Sequence, residues 1–459
     1  MSTLDNIRKT IAYARRNGPA AAWTAAMERM RLNRIPYTYE APSGEAVRAQ
    51  RAAFSRRVME AQGKRMTRFS VITPLYLTPK PFLAEMIASV KNQSYGEWEL
   101  VCADASPQEK NLRYAVEQEA RDARVLYLPL AKNGGISENT NRALARASGD
   151  YVVLLDHDDL LTPDALYVLE EAIAGYVLKN GTLPLLVYSD EDKFEDPEKG
   201  KRRYFEPHRK PDFDFDRLLT NNYICHVAVV RADVAKRLRL RAAYDGSQDY
   251  DLFLRVCAEA VAENGTSPGI LHVPRVLYHW RSHSKSTSVN PGSKDYAYEA
   301  GKRVIEDALL RLLNGTGAVA EVTELAHHGF YRVTYTPDVF AARPDVGAVG
   351  GKVTDRNGTI TGGKTVAAGN VFYEGLPAGH SGGYQHDAAL VQEADAVDLR
   401  CVYVRQELYP LYLQYGAVYD AGASVTAEEM RARSLAFSEA VRARGFRILW
   451  DPAYEACAL

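Results

Sequence analysis

The run Asp156-His157-Asp158-Asp159 puts three carboxylates and an imidazole within four positions, directly after the apolar stretch Tyr151–Leu155 (YVVLL). In an extended chain, residues 156 and 158 project to one side, so both carboxylates can face one ligand. Hard divalent cations favour such oxygen donors. A cation held there acts as a Lewis acid on a diphosphate leaving group, which must shed its charge as it departs. The competing reading is an acidic strand-to-helix turn in which Asp159 or Thr162 caps a helix begun at Pro163. The apolar run in front favours the metal reading. So does the repetition of the pattern, because Asp104, Asn133 and Asp190 also fall just behind apolar runs.

Those positions imply the elements that carry them. Phe69–Thr73 (FSVIT), Trp98–Cys102 (WELVC), Val125–Leu128, Tyr151–Leu155 and Leu185–Tyr188 are short apolar or β-branched runs and read as five strands. Residues 81–93, 108–122, 137–147 and 163–175 read as helices between and after them. Alternating strands and helices predict a parallel sheet covered on both faces, whose ligands sit at the carboxyl ends of the strands. Ahead of the sheet, Ile7, Ile11, Trp23, Met27 and Met30 recur at helical spacing over residues 1–34, with a break near Gly18-Pro19. Residues 44–64 read as a second, charged helix.

The chain of 459 residues is 46% hydrophobic and 25% charged, enough to bury a sizeable core. The net charge of −1 gives no global attraction to nucleic acid. Residues 1–68 hold fourteen Arg or Lys against five Asp or Glu, a local +9 that leaves −10 for the rest. A basic segment on an acidic body fits either an anionic membrane surface or a solvated helical extension. The five cysteines form no CxxC pair and no His cluster accompanies them, which points to a reducing compartment. No apolar run approaches the roughly 18 residues of a spanning helix, and no apolar stretch follows the first charges as in a secretion signal. The expectation is a cytoplasmic protein, with the inner face of the cell membrane as a docking place for the basic segment.

Residues 69–310 resemble a family 2 glycosyltransferase with the GT-A fold. The blocks, in the family's order, are Ser70-Val71-Ile72-Thr73-Pro74, Asn92-Gln93-Ser94-Tyr95, Trp98-Glu99-Leu100 and Asn133-Gly134-Gly135-Ile136-Ser137. They continue with Ser148-Gly149-Asp150-Tyr151, Leu155-Asp156-His157-Asp158-Asp159 and Tyr188-Ser189-Asp190-Glu191-Asp192-Lys193. The last are Gly246-Ser247-Gln248-Asp249-Tyr250-Asp251 and Tyr278-His279-Trp280-Arg281-Ser282-His283.

The resemblance implies an α/β fold, a mostly parallel GT-A sheet flanked by helices. It has an N-terminal helical extension and a smaller α/β domain at the C-terminus. It implies a donor site of Pro74, Tyr76, Asp104, Asn133, Gly135, Asp156 and His157, with Asp104 on the imide N–H of a uracil or thymine. Asp158 and His283 are implied as ligands of Mn²⁺ or Mg²⁺, with His279 as the competing imidazole. Asp249 is implied as the general base that deprotonates the acceptor hydroxyl for inverting attack, and such a base contributes roughly 10² to 10⁴ in rate. Gln248 stands where most relatives carry Glu. On residue chemistry alone, Asp249 and Asp251 are also ordinary first-turn carboxylates of a helix over 249–262. Asp190, Asp192 and Trp280 are implied on the acceptor side, next to a polar loop over 195–211.

The segments 346–360 and 446–452 resemble the middle and end of a second such domain that lacks its donor-binding half and its base. The expected division is 1–66, a basic helical extension; 67–334, the catalytic domain; and 335–459, a truncated non-catalytic remnant able to extend an acceptor groove or form a homodimer.

The function implied is an inverting, metal-dependent transfer of sugar from a UDP- or dTDP-linked donor to a glycan or lipid-linked acceptor in cell-surface polysaccharide synthesis. The alternative is a catalytically inactive glycan-binding or scaffold subunit, kept open by Gln248. A nucleotidyltransferase is disfavoured because Pro74-Leu75-Tyr76-Leu77 has no Gly-rich, cationic triphosphate loop.

Overall fold

In the computed structural model the seven residues Phe69–Leu75 form strand β1, buried at every position except Pro74. The structure describes residues 10–457 apart from 12, 33, 62–65, 198–200, 265–268, 284–294, 367–369 and 421–424. The expectations for Ile7 and for the first basic residues, Arg8 and Lys9, lie outside the described residues.

The chain divides into two compact units. One comprises Tyr37–Phe213 and Asn222–Ile305; the other takes the stretch up to Pro36, Asp214–Asn221 and Glu306–Leu459.

In the first unit β1 lies between β2 (Trp98–Asp104) and β4 (Tyr151–Leu154), both parallel to it, and β3 (Val125–Pro129) extends the sheet beyond β2. Helices α3 (Lys80–Lys91), α4 (Lys110–Glu119), α5 (Ile136–Arg146) and α6 (Ala165–Asn180) follow the strands as their apolar spacing predicts. Residues Phe69, Leu100, Tyr151, Leu83, Ile87 and Leu166 meet in one core.

Beyond β4 the sheet turns mixed. β8 (Ala228–Arg231) runs antiparallel to β4, and β6 (Leu186–Glu195) runs antiparallel to β8. β9 (Ile270–Arg281) is parallel to β6, and the short β5 (Leu160–Leu161) closes the order β3-β2-β1-β4-β8-β6-β9-β5. This is the helix-flanked α/β sheet that the resemblance implies, parallel through its first four strands.

Two departures matter for the site. The fifth predicted strand does not stop at Tyr188 but continues to Glu195. The loop expected over 195–211 contains an edge strand, β7 (Arg203–His208), paired antiparallel to β6.

Register sets the geometry of the site. Leu75 lies opposite Asp104, and Ile72 opposite Leu154, so the turns after β1, β2 and β4 emerge along one sheet edge. Pro74 is tolerated in a central strand because β4 has already ended: its last Cα partner in β1 is Ile72.

A buried carboxylate holds the other end of these strands. Glu99 accepts from the Ser70 hydroxyl at 2.5 Å and from the Ser148 amide and hydroxyl at 2.5 and 2.9 Å. Gly149 then passes so close that a Cβ there would stand 2.6 Å from the Arg68 carbonyl, which explains the Ser-Gly-Asp block.

Helix α2 (Gly44–Glu60) is capped by Ser43, whose hydroxyl accepts from the Ala46 amide at 3.1 Å. Its Arg57 is spent on Glu170 and Glu171, so part of the basic segment's charge is neutralised inside the first unit.

In the second unit β12 (Val346–Thr354) pairs in parallel with β18 (Arg447–Cys457), with Val349 opposite Leu449. The two blocks that resemble a second domain are therefore adjacent strands. Helices α12 (Tyr409–Asp420) and α13 (Ala427–Arg442) contribute Leu411 and Phe437 to a core with Ala348, Ile448 and Trp450. Helix α1 (Pro19–Leu32) and a hairpin of β10 (Val319–Glu324) with β11 (Tyr331–Thr336) complete this unit. Among the described residues, no helix is long and apolar enough to cross a membrane.

Candidate active site

The turn 155–159 leaves β4 where its last partner in β1 is Ile72, and the Leu155 amide still donates to the Ile72 carbonyl at 3.3 Å. Beyond that point Asp156, His157 and Asp158 are half-buried and Asp159 is wholly buried. The end of β9 lies against this turn. Asp159 accepts from the Tyr278 hydroxyl at 2.5 Å and from the Arg281 amide at 2.7 Å, while the Arg281 side chain donates to the Asp158 carbonyl at 2.6 Å. Burial above all, then the charges of Asp158 and Asp156, holds the Asp159 carboxyl well above the usual carboxylate range.

Asp158 is different, because its Oδ2 lies 3.1 Å from His283 Nε2 and both side chains are partly exposed. His279 points elsewhere: its Nδ1 is 2.5 Å from Asp192 and its ring packs edge-on against Tyr39. Of the two competing imidazoles, His283 alone reaches the acidic turn.

Asp249 lies in the first turn of α9 (Gln248–Asn264), half-buried, and its Oδ2 accepts from Asn222 Nδ2 at 2.9 Å. Burial raises its pKa above the usual aspartate value, with Asp156 adding to the effect and the nearby His226 and the Asn222 bond opposing it. Gln248 accepts from the Gly246 amide at 2.8 Å, a bond internal to the approach loop.

That loop is tied down at both sides. Asp245 Oδ1 accepts from the Ser137 amide at 3.3 Å, at the start of α5, and the Ser247 hydroxyl donates to the Ala297 carbonyl at 2.8 Å. Gly135 (φ +88°) leaves room for this approach, because a Cβ there would stand 2.6 Å from the Asp245 carboxylate. Asn133 shapes the same loop, its Oδ1 accepting from the Gly135 amide at 3.0 Å and from Asn139 at 2.8 Å.

His226 was not among the residues singled out from the sequence. Its ring stacks on Tyr278 at 4.7 Å and meets Trp280 edge-on at 5.8 Å. It joins Asp156 and Asp159 in a group whose donor atoms all lie within 4.8 Å of one another, close enough to share a cation. Asn222 was missed as well. Both sit in the segment between α7 (Phe215–Leu218) and β8, which carries no periodic pattern. A polar cluster before a β-branched run was the only signal available.

Four of the expected positions are engaged within the fold. Asp104 is fully buried: its Oδ1 accepts from the Ser106 amide and hydroxyl at 2.8 and 3.0 Å and its Oδ2 from Tyr127 at 2.9 Å. That is a turn-forming aspartate with no face open to a base. Asp190 is buried against His272 at 3.0 Å and the Lys210 amide at 2.9 Å, and Asp192 against His279 and Tyr37. Both are interior because β6 runs past them and pairs there with β9. Trp280 is half-buried, with the Lys193 ammonium 5.3 Å from its ring centre. Tyr76, by contrast, is half-exposed beside the site's sheet edge.

Residues 70–239 match the family described as "Glycosyl transferase family 2". The chain is 38% identical over 244 residues to an uncharacterized protein, y4gI, of Sinorhizobium fredii, covering 53% of this chain and 25% of that one. It is 35% identical over 288 residues to the O-antigen biosynthesis protein RfbC of Myxococcus xanthus, covering 60% and 21%. The chain thus spans a quarter or less of these curated relatives. The crystal structure of S. aureus TarS 1-349 in complex with UDP aligns at a TM-score of 0.38 and 18% identity, over 53% of this chain and 65% of that one. So distant a likeness says nothing about the ligands of this chain.

Proposed function

Because residues 70–239 match the family 2 glycosyltransferases, we propose that this chain transfers a sugar from a UDP- or dTDP-linked donor to a hydroxyl of a glycan or lipid-linked acceptor, with inversion, in cell-surface polysaccharide synthesis. The observation that carries the reading is the pairing of Asp158 with His283 at 3.1 Å, together with a half-buried Asp249 that feels the charge of Asp156 in the same acidic turn. The RfbC relative, an O-antigen biosynthesis protein by name, supports the polysaccharide setting.

The donor set fits a hard divalent cation, Mn²⁺ or Mg²⁺: carboxylate oxygens and imidazole nitrogens, and no thiolate. The His157 Nδ1 is buried there without a hydrogen-bond partner among the described residues. Asp158 and His283 are the residues proposed to hold the ion, which when bound supplies charge neutralisation to the departing diphosphate. Asp156 and His157 border the donor, with Pro74 near the end of β1 and Tyr76, Asn133 and Gly135 on the neighbouring turns. Asp249 takes the proton of the acceptor hydroxyl. Its raised pKa makes it a stronger base than a solvated aspartate, and Asn222 fixes its orientation. Residues 335–459 are proposed to be non-catalytic, since among the described residues the carboxylate–imidazole cluster belongs to the first unit alone.

Thermal shift of the full chain with a panel of nucleotide diphosphates, with and without Mn²⁺, tests the reading. Metal-dependent stabilisation by one nucleotide, lost in Asp158→Ala, is the expected result. No response to any nucleotide refutes it and leaves the scaffold alternative.

A further inference from the structure

The second unit contains a cavity of its own, about 210 Å³, bordered by β11, β12, β17 (Val402–Val404), β18 and the short segment 214–221. The volume suits a ligand of one or two small rings, below the usual size of a cofactor site.

The lining combines two features. Aromatic rings come from four places: Tyr335, Phe340, Tyr403 and Tyr454. Tyr403 is 54% exposed and its ring centre lies 4.7 Å from that of Tyr454, so the two form an open aromatic lip. Between the rings stand two sets of charges that already neutralise one another, while Asp338 caps the Ala341 amide at 2.8 Å. Arg332 donates both terminal nitrogens to the two oxygens of Asp451, each at 2.7 Å. Asp216 is matched by Arg343 and by Arg447 at 2.9 Å.

A charged ligand seated among the paired groups would have to displace one of these partners and leave the other buried and alone. A neutral polyhydroxylated ligand would not. Carboxylate oxygens keep further lone pairs, and guanidinium nitrogens further protons, in the fixed spacing that a pair of adjacent hydroxyls matches. The C–H face of a pyranose can lie on the Tyr403–Tyr454 lip.

We infer that this cavity is a non-catalytic binding site for a neutral sugar residue of a glycan. The inference rests on the reading that the protein handles glycans, and it assigns the second unit a role of its own.

Saturation-transfer NMR on the full chain, without nucleotide or metal, provides the test. The probes are cellobiose, maltose, chitobiose and mannobiose, with glucuronic acid and inorganic phosphate as charged controls. Transfer to at least one disaccharide is expected, unchanged in Asp158→Asn and weakened roughly ten-fold in Tyr403→Ala, which removes an exposed ring and leaves the core intact. Transfer to none of the disaccharides, or equal transfer in wild type, Tyr403→Ala and Tyr454→Ala, overturns the inference. A preference for the charged controls overturns it too. Because no donor is present, a negative result here leaves the nucleotide-binding test untouched, and the reverse also holds.

Discussion

Two sets of carboxylates, one in each unit, are held differently. In the second, Asp216, Asp345, Asp398 and Asp451 each face a guanidinium, and their charge is cancelled within the fold. In the first, Asp156 and Asp249 have no Arg or Lys partner among the described residues, and Asp158 has only an imidazole. An uncancelled negative charge held half out of water is costly. A fold keeps it where something positive, or a proton in transit, is to arrive. The difference separates carboxylates that build from carboxylates that wait for a ligand.

Several substitutions break or sharpen that contrast. The largest effect is expected from Asp249→Asn, which lowers turnover by roughly 10² to 10⁴ while donor stabilisation in thermal shift stays intact. Equal turnover would remove Asp249 from the waiting class. In the second unit Arg343→Met leaves Asp216 buried beside Arg447 alone. It should cost roughly 3 kcal/mol in chemical denaturation, with turnover per folded molecule unchanged. Asp158→Ala should abolish the metal-dependent part of donor stabilisation, about 2.7 kcal/mol at a hundredfold excess over Kd, and leave the stability of the free protein nearly as it was.

The pH profile tests the same idea. Burial raises the Asp249 pKa and the active form is the carboxylate, so the acid limb of kcat/KM should lie above the usual aspartate value of 3.8. Stability runs the other way for this group, since the fold favours its neutral form and gains as pH falls through the raised pKa. Activity that persists down to pH 4 would contradict the assignment. The smallest effect is expected from Gln248→Glu. It keeps an acceptor for the Gly246 amide, changes stability by no more than about 0.5 kcal/mol, and moves the acid limb further up through the added negative charge.

The sequence read well where local pattern decided the outcome. FSVIT, WELVC and YVVLL became β1, β2 and β4 within a residue or two, because a buried parallel strand is an uninterrupted apolar run. The acidic turn lay where β4 ended, for the same reason. Position after an apolar run was a poorer guide to exposure. Asp190 and Asp192 followed such a run yet became mid-strand residues, since β6 continued through Ser189–Glu195, paired with β7 and β9. Partner strands, which no local window contains, decided that. Asn222 and His226 were illegible because they reach Asp249 and Asp156 only through the antiparallel return of β8 along β4. The turn at Asp104 was readable as chemistry but not as function. The same carboxylate serves a base or a backbone amide, and in the structure it accepts from the Ser106 amide.

The guanidinium–carboxylate set around Asp216 also bears on heat. Arg343 and Arg447 link Asp216, Asp345 and Glu393 into one connected network. The hydration that buried ions forgo becomes less favourable as temperature rises, so the penalty for burying such a network shrinks on warming. The contacts that this network makes with the segment 214–221 should therefore weaken little between 25 °C and the melting range.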